Sequence, residues 1–571
     1  MKNAVLKLTL LCIFCLSACT TRLEGDFSKQ STLATDQKIA VNQLGYMVDS
    51  TKIAVVPNVT ATTFDLIKSK DNTIAYTGRL SRPAMWSSAE DNSFKRANFT
   101  GLTKPGEYFI RVEGVSDSAL FSVNNNVYDE VHKAALKYYY LNRASLEIKK
   151  EFAGDYTRPL GHKDEHVIYH SSTKSQSKQN YTISSHGWYD AGDYGKYVVN
   201  SGITTYTLLA SFEHSPELYK KEPLNIPESY DSVPDIINEV LWNLDWLITM
   251  QSDDGGVYHK LTTLEWPGYE MPHDDNRDRY IIGKSTAASL NFAGTLAMAS
   301  RVISPYYPKK SDQYLLSAIN AWKWALSNPS QYYKQPSDVK SGEYGDTNLK
   351  DEFAWAAAEL FIATKDRGFY AIYKEINIDY AAPSWKNVAY LSLSSLLFQA
   401  KDLLTEQEYE TLKIKQKKLA DLYLQQHKNN PYNVAMQKSD FVWGSNSVAL
   451  KKAIVLIQAA LLNINLQYER AVQGLVDYIF GRNPTGYSYV TGFGDKTPLH
   501  PHHRISQSDN ILAPQPGMLV GGPQPGQQDG CQYESNAPAN SYSDSWCSYS
   551  TNEVAINWNA ALVYVLGELR R

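Results

Sequence analysis

The chain has 571 residues, long enough for one small and one large domain, each with its own core. Charged residues make up 20% and the formal net charge is −4, so there is no basic field to hold a nucleic acid backbone or an acidic membrane surface. The 40 Tyr and 12 Trp read mostly as helix-packing side chains with a polar tip, and stacking on sugar faces is a second use for such flat rings.

From the N-terminus, Lys2 and Lys7 supply positive charge, Val5 to Leu16 is an apolar run too short to span a bilayer, and small residues follow. The pattern reads as an export signal. Leu16-Ser17-Ala18-Cys19 looks like a bacterial lipobox, which makes Cys19 the expected lipidated residue; a plain cleavable signal is the alternative. Residues 1–18 are then the signal peptide and 19–36, rich in Thr, Ser and charge, a tether. No later segment has the length and apolarity of a membrane span, so the expectation is an exported monomer held to a membrane by its lipid alone, in the periplasm or on the outer membrane surface. With Cys12 and Cys15 lost and Cys19 modified, Cys531 and Cys547 remain; in an oxidising compartment they read as a disulfide.

Residues 37–124 carry short β-prone runs separated by turn residues: Ile39 to Val41, Lys52 to Val56, Thr63 to Ile67, and Glu107 to Val112 after Pro105-Gly106. The spacing predicts a small β-sandwich. Beyond Asn124-Asn125-Asn126 the period changes, and Val127, Val131, Ala134, Ala135, Tyr138 and Leu141 mark one face of a helix. Further helical stretches are predicted at 196–213, 233–251, 285–303, 311–327, 349–366, 385–400, 405–427, 446–463, 468–480 and 552–569. Ser232 ahead of Pro234 and Asp235 reads as a helix cap. Strand signals are nearly absent from 126–571, and no fixed-period repeat suggests a solenoid. Helical hairpins round a ring, with function on the loops at one end, are expected.

The richest loop is Gly187-Trp188-Tyr189-Asp190-Ala191-Gly192-Asp193-Tyr194-Gly195-Lys196-Tyr197. Two carboxylates three apart, with small residues between, can converge on one point such as a water molecule; a helix cap or a calcium loop would use the same pattern. Glu553, at the start of the last predicted helix, is a second acid candidate, and its plainer reading is a first-turn glutamate that suits the helix dipole.

Taken together, these segments resemble glycoside hydrolase family 9, the helical cellulases. Val41-Asn42-Gln43-Leu44-Gly45-Tyr46 is similar to the opening of the Ig-like module of one branch. The likeness continues through Asp190-Ala191-Gly192-Asp193, Val257-Tyr258-His259-Lys260, Trp443-Gly444-Ser445-Asn446, Gly481-Arg482-Asn483-Pro484, Pro501-His502-His503-Arg504 and the Asn552-Glu553 segment. The resemblance implies an Ig-like β-sandwich (37–124) followed by an all-α (α/α)6 barrel (126–571). It implies inverting hydrolysis of β-1,4-glucosidic bonds, in cellulose-type or mixed-linkage glucans and cello-oligosaccharides. In that mechanism Asp193 is the base that deprotonates water, Asp190 its partner, and Glu553 the acid. It places His259, His502, Arg504, Trp188 and Tyr549 against the sugar.

No cofactor is expected for the chemistry. Gly345-Asp346-Thr347-Asn348-Leu349-Lys350-Asp351-Glu352 resembles a structural calcium loop of the family, with Asp351 and Glu352 as carboxylate ligands and Thr347 or Asn348 giving carbonyls; an acidic helix start is the alternative. Some relatives hold zinc ahead of the Asp190 loop with cysteines and histidines; here that region has His162, His166, His170 and His186 but no cysteine, so zinc is not expected. The end at Arg571, just after the last helix, suggests no C-terminal carbohydrate-binding module and a diet of soluble glucan or oligosaccharide. Two other functions compete with endo cleavage: exo-acting trimming of glucose or glucosamine oligomers, with loops 154–186 and 262–279 as candidates for closing one end, and a non-catalytic glycan-binding surface lipoprotein. The three retained carboxylates argue against the last.

Overall fold

The computed structural model describes residues 38–571 apart from 91, 175–179, 463, 464 and 466. The signal peptide, Cys19 and the tether lie outside the described residues.

Seven strands build the N-terminal domain: β1 (Gly45–Tyr46), β2 (Ile53–Pro57), β3 (Thr63–Lys68), β4 (Ile74–Arg79), β5 (Phe94–Asn98), β6 (Gly106–Arg111) and β7 (Phe121–Val123). One sheet runs β1-β7-β6-β3-β4 and the other pairs β2 with β5. Ala54, Val56, Phe64, Leu66, Ala97, Tyr108, Ile110 and Phe121 alternate inward to form a core of their own. The run expected as a strand at Ile39–Val41 makes only a bridge, Ala40 to Val55.

The opposite face of the β2–β5 pair belongs to the large domain. Val55 and Phe94 lie in its core, and Phe94 and Trp86 pack on Tyr432 with ring centroids 4.8 and 5.2 Å apart. Polar contacts continue the seam: Asn42 donates to Asp477 Oδ1 (3.0 Å) and Tyr128 Oη (3.1 Å), while Gln43 accepts from the backbone of Asp495 (2.8 Å) and Lys496 (2.9 Å).

The large domain has twelve helices of nine residues or more among the described residues. They are α1 (Asp129–Leu141), α2 (Val198–His214), α3 (Asp235–Thr249), α4 (Thr286–Ile303), α5 (Pro308–Ser327), α6 (Lys350–Thr364), α7 (Arg367–Glu375), α8 (Ala389–Gln399), α9 (Glu406–Asn429), α10 (Ser445–Leu461), α11 (Tyr468–Ile479) and α12 (Ile556–Leu569). The even-numbered helices pack on one another in the order α10-α12-α2-α4-α6-α8, and each carries an odd-numbered helix outside it: α1 on α12, α3 on α2, α5 on α4, α7 on α6, α9 on α8 and α11 on α10. The inner helices are buried nearly all round. In α12 every residue from Ile556 to Gly567 is buried, so its sequence is apolar without a polar stripe.

Three sequence expectations are corrected here. Strands are present in the large domain: β8 (Val167–Tyr169), β9 (Tyr181–Thr182), β10 (Lys196–Tyr197), β11 (Tyr258–Thr262) and β12 (Tyr280–Lys284) form a sheet in the order β10-β11-β12-β8-β9. Ser232 caps nothing, since α3 starts after Pro234 without a side-chain cap and Asp235 instead accepts from Leu224 N (2.6 Å) and Ser229 Oγ (2.5 Å). Glu553 is not in the first turn of a helix: it has extended backbone (φ −71°, ψ 157°) between a helical turn at Tyr549–Asn552 and α12, where Val554 bridges Val520.

Candidate active site

The Asp190–Asp193 loop is held from beneath. Gly187 N donates to Trp242 O (3.0 Å), Tyr189 N to Asn142 O (3.0 Å), and Ile556 N to Asp190 O (2.8 Å), which ties the loop to the start of α12. A side chain at Gly192 would collide with the His502 carbonyl, and one at Gly195 would sit 2.8 Å from Asp193 Oδ2, so both glycines let neighbouring segments close on the carboxylates. Below the loop, the buried Lys196 and Arg279 each reach Asp164 at 2.7 Å. Burial pushes the Asp164 carboxyl up, but Arg279 and Lys196 outweigh it and hold it low.

Asp190 and Asp193 are both buried. Asn200 Nδ2 (2.5 Å) and Tyr344 Oη (2.7 Å) donate to the two oxygens of Asp190, and Tyr197 Oη donates to Asp193 Oδ2 (2.7 Å). Burial first, then the charge of Asp193, push Asp190 up to about 8 against the pull of its two donors. Glu553 faces the same pair. Burial, Asp193 and Asp190 push it up to about 8, while Arg504 and the Gly192 amide pull the other way. A carboxyl that keeps its proton at neutral pH can act as an acid.

The Glu553 segment pairs with the His502 loop: His502 N donates to Asn552 O and Gly521 N to Glu553 O, both at 2.8 Å. His502 Nδ1 bonds Trp546 O (2.7 Å), which leaves Nε2 as the nitrogen not used by that carbonyl. Arg504 donates to Gly192 O (2.8 Å) and Pro267 O (3.0 Å) and lies 5.7 Å from the Trp266 ring. Tyr549 stands 5.9 Å from His502 and 5.5 Å from Trp443. Trp266, Trp443 and Trp546 are each more than 40% exposed, an apolar rim open to a planar ligand. Cys531 and Cys547 are joined by a disulfide, Cα atoms 6.0 Å apart, in the loop that leads to Glu553.

Two expected sugar contacts do not reach the surface. His259 is fully buried, with Nδ1 on Ser285 Oγ (2.9 Å), Nε2 on Glu343 O (3.0 Å) and its face stacked on Tyr333. Trp188 is buried too and donates Nε1 to Glu239 Oε1 (2.8 Å). Both support the loop from inside. Sequence reasoning missed Tyr197, Asn200 and Tyr344; Tyr197 lay within the quoted loop, but nothing local marks Tyr344.

Among the described residues no group of three or more His, Cys, Asp or Glu side chains is drawn together as ready metal ligands. His162 bonds Tyr189 and Asp275, His170 bonds Ser172 and Asp338, and His166 and His186 pack on Tyr181 and Trp242. At the acidic segment before α6, however, Asp346 Oδ2, Asp351 Oδ1 and Glu352 Oε2 are buried without partners, and burial pushes all three carboxyls up. Orphaned oxygens of this kind fit a hard cation that takes further ligands from main-chain carbonyls. Asp346 joins the two carboxylates expected there, while Thr347 and Asn348 are exposed.

A buried aspartate pair facing a part-buried glutamic acid is the carboxylate arrangement of a glycoside hydrolase. Residues 128–566 match glycosyl hydrolase family 9, and residues 34–117 match the cellulase N-terminal ig-like domain. The chain belongs to glycosyl hydrolase family 9. It is 38% identical to a xyloglucan-specific endo-beta-1,4-glucanase of Bacteroides ovatus, over 94% of each chain. It is 31% identical to endoglucanase D of Acetivibrio thermocellus, over 93% of this chain and 83% of that one. The solved structure of Bacteroides ovatus GH9 superimposes with a TM-score of 0.87 at 36% identity, covering 93% of this chain and 98% of that one.

Proposed function

We propose that the protein is an inverting endo-β-1,4-glucanase acting on soluble glucan chains, plain or branched, on an (α/α)6 barrel. The observation that carries the mechanism is the contrast within one buried site: Glu553 keeps a proton up to about 8 while Asp193 accepts a hydrogen bond from Tyr197. Asp193 takes a proton from water as the water oxygen attacks the anomeric carbon. Glu553 gives its proton to the departing glycosidic oxygen, and solvent exchange then restores both groups. Asp190 holds the water with Asp193, and His502, Arg504 and Tyr549 contact the sugar. The rim of Trp266, Trp443 and Trp546 supports an endo mode, since exposed rings on several loops suit a chain that runs past the site.

The test is stereochemical. Proton NMR in the first minutes of reaction should find the α anomer as the first product from a β-linked glucan, and a β anomer would remove Asp193 from the role of base. Viscosity followed against reducing sugar on xyloglucan, mixed-linkage glucan and a linear soluble glucan decides between endo and exo action and ranks the backbones.

Two further elements belong to this reading. The orphaned oxygens of Asp346, Asp351 and Glu352 support a structural calcium ion, which would supply charge compensation beside the site and no chemistry. The lipobox at Cys19 supports membrane attachment, and loss of lipid labelling in Cys19→Ala is the expected check.

A further inference from the structure

Six lysines are buried among the described residues: Lys52, Lys95, Lys196, Lys260, Lys451 and Lys452. Five of them give their ammonium hydrogens to oxygen: Lys52 to Val48 O, Lys95 to Val59 O, Lys196 to Asp164, Lys260 to Gly342 O and Lys452 to Asp440. Lys451, on α10, has no hydrogen bond, ion pair or ring contact among the described residues, although only 5% of it is exposed. An ammonium buried alone is strongly unfavourable, because the hydration it loses is replaced by nothing.

Gln458 fixes which way this lysine faces. It accepts from Tyr390 Oη of α8 (2.7 Å) and donates to Tyr564 Oη of α12 (3.2 Å), and Tyr206 of α2 lies close enough to act on both phenols. Four inner helices meet there, inside the ring. Lys451 precedes Gln458 by seven residues and Ser447 precedes it by eleven, so at 3.6 residues per turn both fall within about 20° of it, on the same inward face. Helical side chains lean towards the N-terminus, which brings the Lys451 stem up towards Ser447. Ser447 is buried and its hydroxyl has no hydrogen-bond partner. A residual exposure of 5% on an inward face means that a water-sized space adjoins the lysine.

Burial alone lowers Lys451, to about 7, so neither the catalytic carboxyls nor any other charge acts on it. The titratable groups on the inner helices round this face are Tyr206, Tyr390 and Tyr564, all pushed above the ordinary phenol value by burial and therefore neutral. On the outer side of α10, Asp440 is taken by Lys452 and Asp477 of α11 by Arg482. The protein thus supplies one inward cation, one inward hydroxyl donor and no acid to match them.

We propose that Lys451 and Ser447 form a site for a small monovalent anion, chloride foremost, inside the catalytic ring. One negative charge answers one ammonium, and the Ser447 hydroxyl donates to the same anion. Sulfate or phosphate would bring further charge that nothing on this face balances. Only the ammonium form attracts an anion, so affinity falls as pH rises past about 7. The sign for stability follows. Lys451 binds its proton less readily in the folded chain than in the unfolded one, which withdraws stability below the ordinary lysine value, and an anion held by the ammonium restores part of it.

The experiment measures melting temperature at pH 6 and pH 9, in sodium chloride or in sodium gluconate of equal ionic strength, gluconate being too bulky for the site. At pH 6, chloride at about 100 mM should raise the melting temperature of the natural protein by about 1–3 °C over gluconate. At pH 9 the increment should shrink to less than half. It should vanish in Lys451→Met, and Ser447→Ala should need several-fold more chloride to reach it. Crystals grown in bromide should show an anomalous peak beside Lys451 Nζ. Equal melting temperatures in the two salts at pH 6 overturn the site, and so does an increment that survives in Lys451→Met. A bromide peak without the increment in solution is binding at crystal concentration only and overturns it too. A raised KM in Lys451→Met with no response to chloride in the natural protein would make the lysine a sugar contact instead. If Lys451→Met does not fold, the bromide map and the chloride response of the natural protein at the two pH values still decide.

Discussion

Asp190 and Asp193 stand on a loop fixed by main-chain bonds to Trp242 and Asn142, by side-chain bonds from Tyr197, Tyr344 and Asn200, and by the buried Lys196–Asp164–Arg279 cluster. Glu553 stands opposite on extended backbone, fed by a long loop that is tied by one disulfide and by Asp529, whose Oδ2 accepts from Ser550 N (3.0 Å) and Ser550 Oγ (2.5 Å). The exposed Trp443, Trp546 and Tyr549 also belong to that second wall. On the roles proposed for the carboxyls, the difference follows from the two tasks. A base has to present one ionised oxygen to one water, and rigidity serves that; the acid needs burial to keep its proton, while the loops round it meet a bulky ligand.

Removing either carboxyl separates the walls most sharply. Glu553→Gln and Asp193→Asn should each lower kcat on natural glucan by about 10²- to 10⁴-fold, the usual reach of a general acid or base. Glu553→Gln alone should spare aryl glycosides with good leaving groups, which need no proton, and steady-state kinetics on both substrate types would reveal it. Equal losses on both substrates would erase the distinction.

Next in size is the pH response. Because Glu553 is held up to about 8 by burial and the aspartates, kcat/KM should fall about tenfold per unit as pH rises beyond that value. The same shifts act on stability. Asp190 and Glu553 sit above the ordinary carboxyl range, so the folded state binds more protons than the unfolded one, and their contribution is lost as pH rises towards about 8. Melting scans should show a smaller decline between pH 5 and 8 in a Glu553→Gln variant than in the natural protein.

The disulfide closes a separation of 16 residues, and breaking it with Cys531→Ser should cost up to about 3 kcal/mol by loop entropy, seen as a lower melting temperature. If the Glu553 wall is the looser one, KM should rise in that variant more than kcat falls. Chelation should have the smallest effect: a drop of a few degrees in melting temperature, restored by calcium and absent in Asp346→Asn, because the cation would sit beside the segment that carries Tyr344.

The sequence disclosed most where a single stretch holds all the parts. Gly187 to Tyr197 contains both aspartates, their glycines and the tyrosine that donates to Asp193, and the helical periods located every helix of ten residues or more while missing the nine-residue α7. It disclosed least where partners come from afar. β8, β9 and β10 are two or three residues long and exist only through pairing, and β11 is buried along its whole length, so it lacks the alternation that marks a strand. The resemblance places His259 and Trp188 against the sugar, although their hydrogen-bond partners at Glu343, Ser285 and Glu239 lie inside. Glu553 looked helical because apolar residues follow it at the right period; its pairing with the loops at His502 and Val520 keeps it extended.

The β2 strand serves two cores with alternate residues, Ala54 and Val56 on one side and Val55 on the other. A slip of one residue along β5 would therefore send every side chain to the wrong core at once, in both domains. That makes the small domain a poor candidate for exchange or removal by cutting at the linker. Excising it would bare Phe94's neighbour Tyr432, together with Phe441, to water and leave a sticky scar on the catalytic body. Insertions should be tolerated in the surface loops long before they are tolerated at residues 53–57.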